Sequence, residues 1–395
     1  MSVSQLQTLS EFTSSLAAIF KTYPILSLLL SILYFIFSYT FGVHIKEWVK
    51  ERRKKSIEQK EKIKLLANAK KLRKNQSGKK FSFGKVSTSV HVLDYNQQGY
   101  SKGFLISELV NINEIIPAEY QEQFNRKFKI WESKKNNGEI FEGAKKVSVK
   151  KIQIDRSPIG EEKRFRVELD NSKGYVHQRA ATSVFLDLDD NMRSNIISEP
   201  HSTMEPFFSN SFGILIGIIT GDDQLVFVKR GSSTAVNENK IICGAVEGMI
   251  DKDIVNGKLN PIVAASRALS EEFGINLDNE ELSSIKIVSC IFNCDYHEWN
   301  LVGYVDLRRF GKKYISSVIF DYNSTAKAHD SWEVNELMFL DFEPKVIAGY
   351  LLSHENEVVN YSKVTAIFTL LSAYENRTEV AKAFDADIDL TISDS

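Results

Sequence analysis

Between Ile25 and Val43 the chain reads ILSLLLSILYFIFSYTFGV, 19 residues without a charge. A helix of that length spans roughly 28 Å, about the hydrocarbon thickness of a bilayer, so the pattern predicts a single transmembrane helix over 25–43. A cleaved signal peptide and a buried core helix are the competing accounts. The run is long for a signal sequence, however, and it ends on aromatic residues and a basic cluster in place of a small-residue cleavage site. In residues 1–24, Leu6, Leu9, Phe12, Leu16, Ile19 and Phe20 recur at helical intervals. They suit an amphipathic helix on the membrane surface or against a neighbouring protomer, and equally a frayed terminus. From Ile45 to Asn75 there is no Pro or Gly and much Lys, Glu, Gln, Leu and Ala. That composition predicts helical continuation through a juxtamembrane segment, 44–80, closing in the linker NQSGKK. Its apolar residues hold no clean heptad, which argues against a coiled coil.

Beyond the linker the pattern changes to short alternating runs: KVSVKKIQI at 145–153, RFRVEL at 164–169 and TSVFLDL at 182–188, separated by turn material such as NNG, SPIG and NSKG. Period-two alternation between such turns predicts a small β-rich module over 81–207. From Ser211 the runs lengthen. SFGILIGIIT, the turn GDDQ and LVFVKR predict two strands joined by a tight connection, with Lys229 and Arg230 at the far end. PIVAASRALSEEFGINL then predicts a helix, with Pro261 in its first turn and Gly274 at its C-terminal cap. IKIVSCIF and LVGYVDL read as further strands, DSWEVNELMFLDF follows, and VTAIFTLLSAY predicts a terminal helix before the tail 376–395.

Charge adds direction to this plan. The whole chain carries a net charge of −1, yet Lys46 to Lys80 is strongly basic, opposed only by Glu47, Glu51, Glu58 and Glu61. Lys46, Lys50, Arg52, Arg53, Lys54 and Lys55 follow the apolar run, whereas Lys21 stands nearly alone before it. Positive charge stays inside, so the N-terminus is expected outside the cell membrane and the bulk of the chain in the cytoplasm. The same cluster suits anionic lipid headgroups better than nucleic acid, so membrane lipid is the expected partner and nucleic acid is not. The cysteines, Cys243, Cys290 and Cys294, lack zinc-ligand spacing and read as reduced structural thiols. His91, His177, His201, His297, His329 and His354 show no paired ligand spacing. Asp187, Asp189 and Asp190 read as a solvated turn.

The densest chemistry lies in the helix after Pro261. Glu271 and Glu272 are adjacent, at i+3 and i+4 from Ala268, and Arg267 stands four residues before Glu271. Neighbouring carboxylates repel unless cations compensate them, and hard oxygens on a rigid element are what magnesium takes, with phosphate and water completing the octahedron. An ordinary acidic helix end is the alternative.

SRALSEEFGI resembles the second half of the Nudix box, matching it at Arg267, Leu269, Glu271, Glu272, Gly274 and Ile275, and Gly244 in CGAVEG resembles the opening glycine. The resemblance covers about 208–375 and implies a Nudix α/β/α sandwich with a mixed sheet. It also implies cleavage of nucleoside diphosphates linked to another group, assisted by Mg2+ or Mn2+. On that basis Glu271, Glu272, Glu333 and Glu336 are the expected catalytic residues, and Glu271, Glu272 and Glu247 the expected metal ligands. Arg230, Gly244, Glu247 and Arg267 are the expected ligand-binding residues.

Two departures stand out. Ala268 occupies a position where the family has a metal-binding Glu, and the gap after the opening glycine is longer by about nine residues, with MIDKDIVNGKLN in it. Glu247, Asp251 or Asp253 could fold back to replace what is missing. Two functions follow. One is a membrane-anchored, magnesium-dependent hydrolase of a nucleoside diphosphate derivative. The other is a catalytically weakened Nudix sensor of a (cyclic oligo)nucleotide coupled to the transmembrane segment, similar in architecture to transmembrane-Nudix effectors of bacterial antiphage signalling. Both expect a nucleotide ligand, and the second a homo-oligomer. A structural membrane adaptor is a third account.

Overall fold

The apolar runs pair mainly into one mixed sheet in the computed structural model. The structure describes residues 80–110, 116–140, 143–155, 164–197, 207–208, 210–231, 237–324 and 334–386. The expected span 25–43, the juxtamembrane segment and the tail beyond 386 lie outside the described residues. Among the described residues no helix is long and apolar enough to cross a membrane.

The chain opens with β1 (Lys80–Phe83), β2 (Val86–Tyr95) and β3 (Leu105–Leu109), then α1 (Ala118–Asn136), β4 (Ser148–Asp155) and β5 (Arg164–Asp170). Helices α2 (Tyr175–Leu186) and α3 (Asp190–Ile197) precede β6 (Phe212–Ile219), β7 (Gln224–Arg230), β8 (Ile241–Cys243) and β9 (Ala245–Gly248). A minimal hairpin, β10 (Ile254–Val255) and β11 (Lys258–Leu259), leads into α4 (Pro261–Phe273). Strands β12 (Ile285–Asn293) and β13 (Glu298–Asp306), helix α5 (Ser316–Ser324) and β14 (Val334–Asp341) follow. The described chain closes with α6 (Pro344–Ser353), α7 (Asn360–Ala373) and α8 (Arg377–Ala383).

The nine-stranded sheet runs β1-β2-β12-β13-β6-β7-β14, with β8 on β7 and β9 on β6. Its β13–β6 pair is parallel and the others are antiparallel, so the class is mixed α/β. Every residue of β6 is buried, as expected for a strand covered on both faces. Gly217 shows how close that cover is, since an added Cβ would stand 2.3 Å from Thr369 Oγ1 on α7. A separate three-stranded sheet, β3-β5-β4, carries a parallel β3–β5 pair.

The stretch expected to be β-rich is mixed. Strands β1 and β2 belong to the main sheet, and 182–188, read as a strand, lies largely in α2. Tertiary packing overrides β-propensity here. Ala180, Ala181, Val184, Phe185 and Leu188 recur at helical spacing and pack with Phe124 of α1 and with Phe207 and Phe208 in a second core. The hydroxyls of Thr182 and Ser183 donate to carbonyls four residues earlier, which lets them sit inside a helix.

His297 is enclosed by the rings of Phe185, Phe208 and Phe292, and burial pushes its pKa down to about 3. An unfolded imidazole takes its proton near pH 6.5, so between 6.5 and 3 the unfolded chain binds the extra proton. The contribution is fully present above pH 6.5 and is lost as pH falls. Between pH 7 and pH 5 His297 alone should lower stability by about 2 kcal/mol. Urea unfolding of His297→Asn, a residue that tolerates the left-handed backbone here (φ 56°), should show a correspondingly shallower acid loss than wild type.

Candidate functional site

Helix α4 is set at both ends by local chemistry. The Asn260 side chain accepts from the amides of Ile262 (3.1 Å) and Val263 (3.4 Å), and Pro261 occupies the first helical position. Gly274, at φ 65°, ends it, with Ile275 N donating to Leu269 O. Ala264, Ala265, Ala268, Leu269 and Phe273 turn into the core, which leaves Arg267, Glu271 and Glu272 toward its rim.

Opposite this rim, Gly244 (φ 65°) switches the chain from β8, paired with β7, to β9, paired with β6. A Cβ there would stand 1.9 Å from the Ile216 carbonyl oxygen, so the position admits only glycine. Gly244 thus places β9, and β9 carries Glu247. The amide of Val246 donates to Glu272 Oε1 at 3.1 Å, fastening α4 to β9 by one of the expected metal ligands.

Arg267 is the centre of the charge network. Its Nε and Nη2 donate to the two oxygens of Asp253, at 3.0 and 2.9 Å, Nη1 donates to Glu271 at 2.9 Å, and Nη2 also reaches Gly248 O at 3.0 Å. Glu247 lies 3.7 Å from the same Nη1 and 3.5 Å from Lys146 Nζ. Asp253 is fully buried and also accepts from Ile250 N. Burial works against the charge on Arg267, but the Asp253 hydrogen bonds and the Glu247, Asp253 and Glu271 charges outweigh it and hold its pKa above the ordinary arginine value.

The insertion does fold back, and it is Asp253 that arrives. It lands on Arg267 and not at the place left by Ala268, which is itself fully buried in the core. Asp251 opens the same short 3-10 turn, and Glu247 stays on β9. Arg230 stands at the end of β7, where its charge bears on Tyr296 and Tyr361. Glu336 is exposed on the outer strand β14, in register with Lys229, outside the α4–β9 cluster. Glu333 lies outside the described residues.

Among the described residues no three His, Cys, Asp or Glu side chains are grouped closely enough to hold a metal by themselves. Magnesium, however, is often held by one or two carboxylates together with substrate phosphates. Glu271, about a third exposed, and Glu272, with one oxygen engaged by Val246, fit that partial role. The cysteines are free and buried, and burial pushes the Cys294 thiol up to about 12, in keeping with structural thiols.

Asp253 was expected only as one of three acids that could replace the missing ligand, not as the partner of Arg267, and Lys146 carried no sequence signal.

No protein-family model matches the chain, and no curated protein matches it. Among solved structures, DR0079 from Deinococcus radiodurans aligns over 40% of this chain and 80% of that one, at 10% identity and a TM-score of 0.27. A TM-score that low carries no argument about fold or function.

Proposed function

We propose that the C-terminal region is a Nudix-type α/β/α domain that binds a nucleoside diphosphate-linked ligand with Mg2+ at the junction of α4 and β9. The observation that supports it most is that Glu247 and Glu271 approach Arg267, an arginine already paired with the buried Asp253, while the neighbouring Glu272 is tied to β9 through the Val246 amide. With Asp253 holding Arg267, the remaining carboxylates face the rim. Glu271 and Glu272, with Glu247 beside them, would hold the metal, which when bound supplies charge neutralisation at bridging phosphate oxygens. Arg267 orients Glu271, and the Val246 amide orients Glu272.

Ala268 favours the second reading, a sensor with weakened hydrolysis. Its side chain brings no carboxylate, Asp253 is committed to Arg267, and Glu336 lies on another strand. The membrane anchor is common to both readings and rests on the apolar run 25–43 and its basic flank; a role in antiphage signalling rests on the resemblance alone.

The test is a panel of nucleoside diphosphate sugars, dinucleotides and cyclic oligonucleotides offered to wild type and Glu272→Gln, in magnesium and in EDTA. A hydrolase should lose turnover by orders of magnitude in the variant, and a sensor should lose metal-assisted affinity without having turned over. Equal binding and turnover in both proteins would remove Glu272 from the site.

A further inference from the structure

We propose that the cleft at the N-terminal end of α7 is a second site, which takes the phosphate group of a small phosphate ester. The proposal goes beyond the α4–β9 reading and does not rest on it: none of the charged residues of that cluster lines this cleft. The cleft measures about 700 Å3, within the range of small-molecule sites.

The helix supplies the first observation. The cleft is lined by the first turn of α7, through Val359, Asn360 and Tyr361, and this 14-residue helix begins at Val359 with no side-chain cap. Valine has no acceptor to offer, so the positive end of the helix reaches the cleft without a side-chain oxygen to satisfy it. The first side chain placed to cap it, Asn360, points its amide elsewhere, donating to Ser89 Oγ at 2.8 Å and Asp295 Oδ2 at 3.0 Å.

Lys363 supplies the second, independent observation. It lines the same cleft, is only 4% exposed, and its ammonium makes no hydrogen bond or ion pair among the described residues. Burial pushes its pKa down, with the charges of Glu355 and Asp295 opposing that. A lysine buried along its stem, with its ammonium at the cleft and without a direct partner, is placed to pair with an anion that enters there.

The remaining charges favour an anion. Lys80, Arg193 and Lys240 line the cleft with Lys363, against the carboxylates Asp295 and Glu355. With the Asp190 carboxylate that pairs with Arg193 counted, four cations against three carboxylates leave a net positive charge, which suits an anion such as a phosphate monoester. Lys240 Nζ donates to Asn356 O at 2.9 Å, a neutral carbonyl that leaves its charge in place, whereas the charge of Arg193 is offset by Asp190. Tyr296, whose hydroxyl donates to Asn237 Oδ1 at 2.8 Å, adds an aromatic wall for whatever carries the phosphate.

The experiment is titration of the purified full chain with inorganic phosphate at constant ionic strength in EDTA, followed by isothermal calorimetry. Magnesium is absent, so the α4–β9 carboxylates contribute nothing and failure of one site is distinguishable from failure of the other. Wild type should bind phosphate saturably. Lys363→Met keeps the stem and removes the charge, and should bind about tenfold or more weakly. Lys240→Gln, on a surface side chain, gives the same reading if Lys363→Met does not fold. Competition then separates the sources: displacement by a soluble nucleoside monophosphate marks a soluble ester, and displacement only by phosphatidic acid vesicles, against phosphatidylcholine vesicles, marks a lipid headgroup. Absence of saturable phosphate binding by wild type, or equal affinity in wild type and both variants, would overturn the proposal.

Discussion

Arg267→Ala should lower folding stability by about 3–5 kcal/mol. The size comes from what stays behind. Asp253 is fully buried, and its two oxygens meet Arg267 Nε and Nη2 at 3.0 and 2.9 Å. Removing the guanidinium leaves that carboxylate charged and dry with only the Ile250 amide as donor, and strips Glu247 and Glu271 of the same cation. Adding Asp253→Asn to Arg267→Ala should therefore restore part of the loss, because it removes the stranded charge. Glu271→Gln should cost far less, since Glu271 is partly solvated. Urea unfolding of the three proteins measures this; a loss under about 1 kcal/mol for Arg267→Ala would mean the network is dispensable.

Ala268→Glu is the second large effect, and its sign depends on metal. Position 268 is fully buried, and the introduced carboxylate would lie one turn before Glu272 on the same face of α4. Without divalent cation, an unpaired buried charge should lower the thermal midpoint by several degrees, for a cost of about 2 kcal/mol or more. With Mn2+ and a bound nucleotide, the introduced group should instead find a cation, and the midpoint should recover. If the domain is a sensor whose chemistry was lost at this position, the variant gains metal-dependent hydrolysis. If it is an enzyme that manages with Glu247, like-charge crowding should slow the variant below wild type. A midpoint that falls equally in EDTA and in Mn2+ would show that no cation reaches this face of the helix.

The parts of the fold that were legible in the sequence are those set by local chemistry. Pro261 and Gly274 mark the ends of α4, and the unbroken run FGILIGII marks β6. What was hidden depends on partners far along the chain. No feature of 182–188 announces a helix until Phe124, Phe207 and Phe208 are there to pack on it. The pairing of β2 with β12 joins residues almost two hundred positions apart, which is why residues from 81 onward read as a separate module. At the site, the Arg267–Glu271 pair follows from i, i+4 spacing, and the structure has it at 2.9 Å. Asp253 was one of three acids that could have folded back, and spacing alone could not choose among them. Its burial beneath Arg267 depends on the β10–β11 hairpin returning the insertion to α4, with Asn260 N donating to Asp253 O.

The most direct test of the central claim is Mn2+ binding followed by electron paramagnetic resonance, on wild type and Glu272→Gln, with the tightest nucleotide of the panel and without it. The account predicts weak Mn2+ uptake by wild type alone, strong uptake when the nucleotide is added, and loss of that gain in the variant. Uptake that ignores the nucleotide, or that is the same in both proteins, would contradict a metal-bridged nucleotide site at the α4–β9 junction.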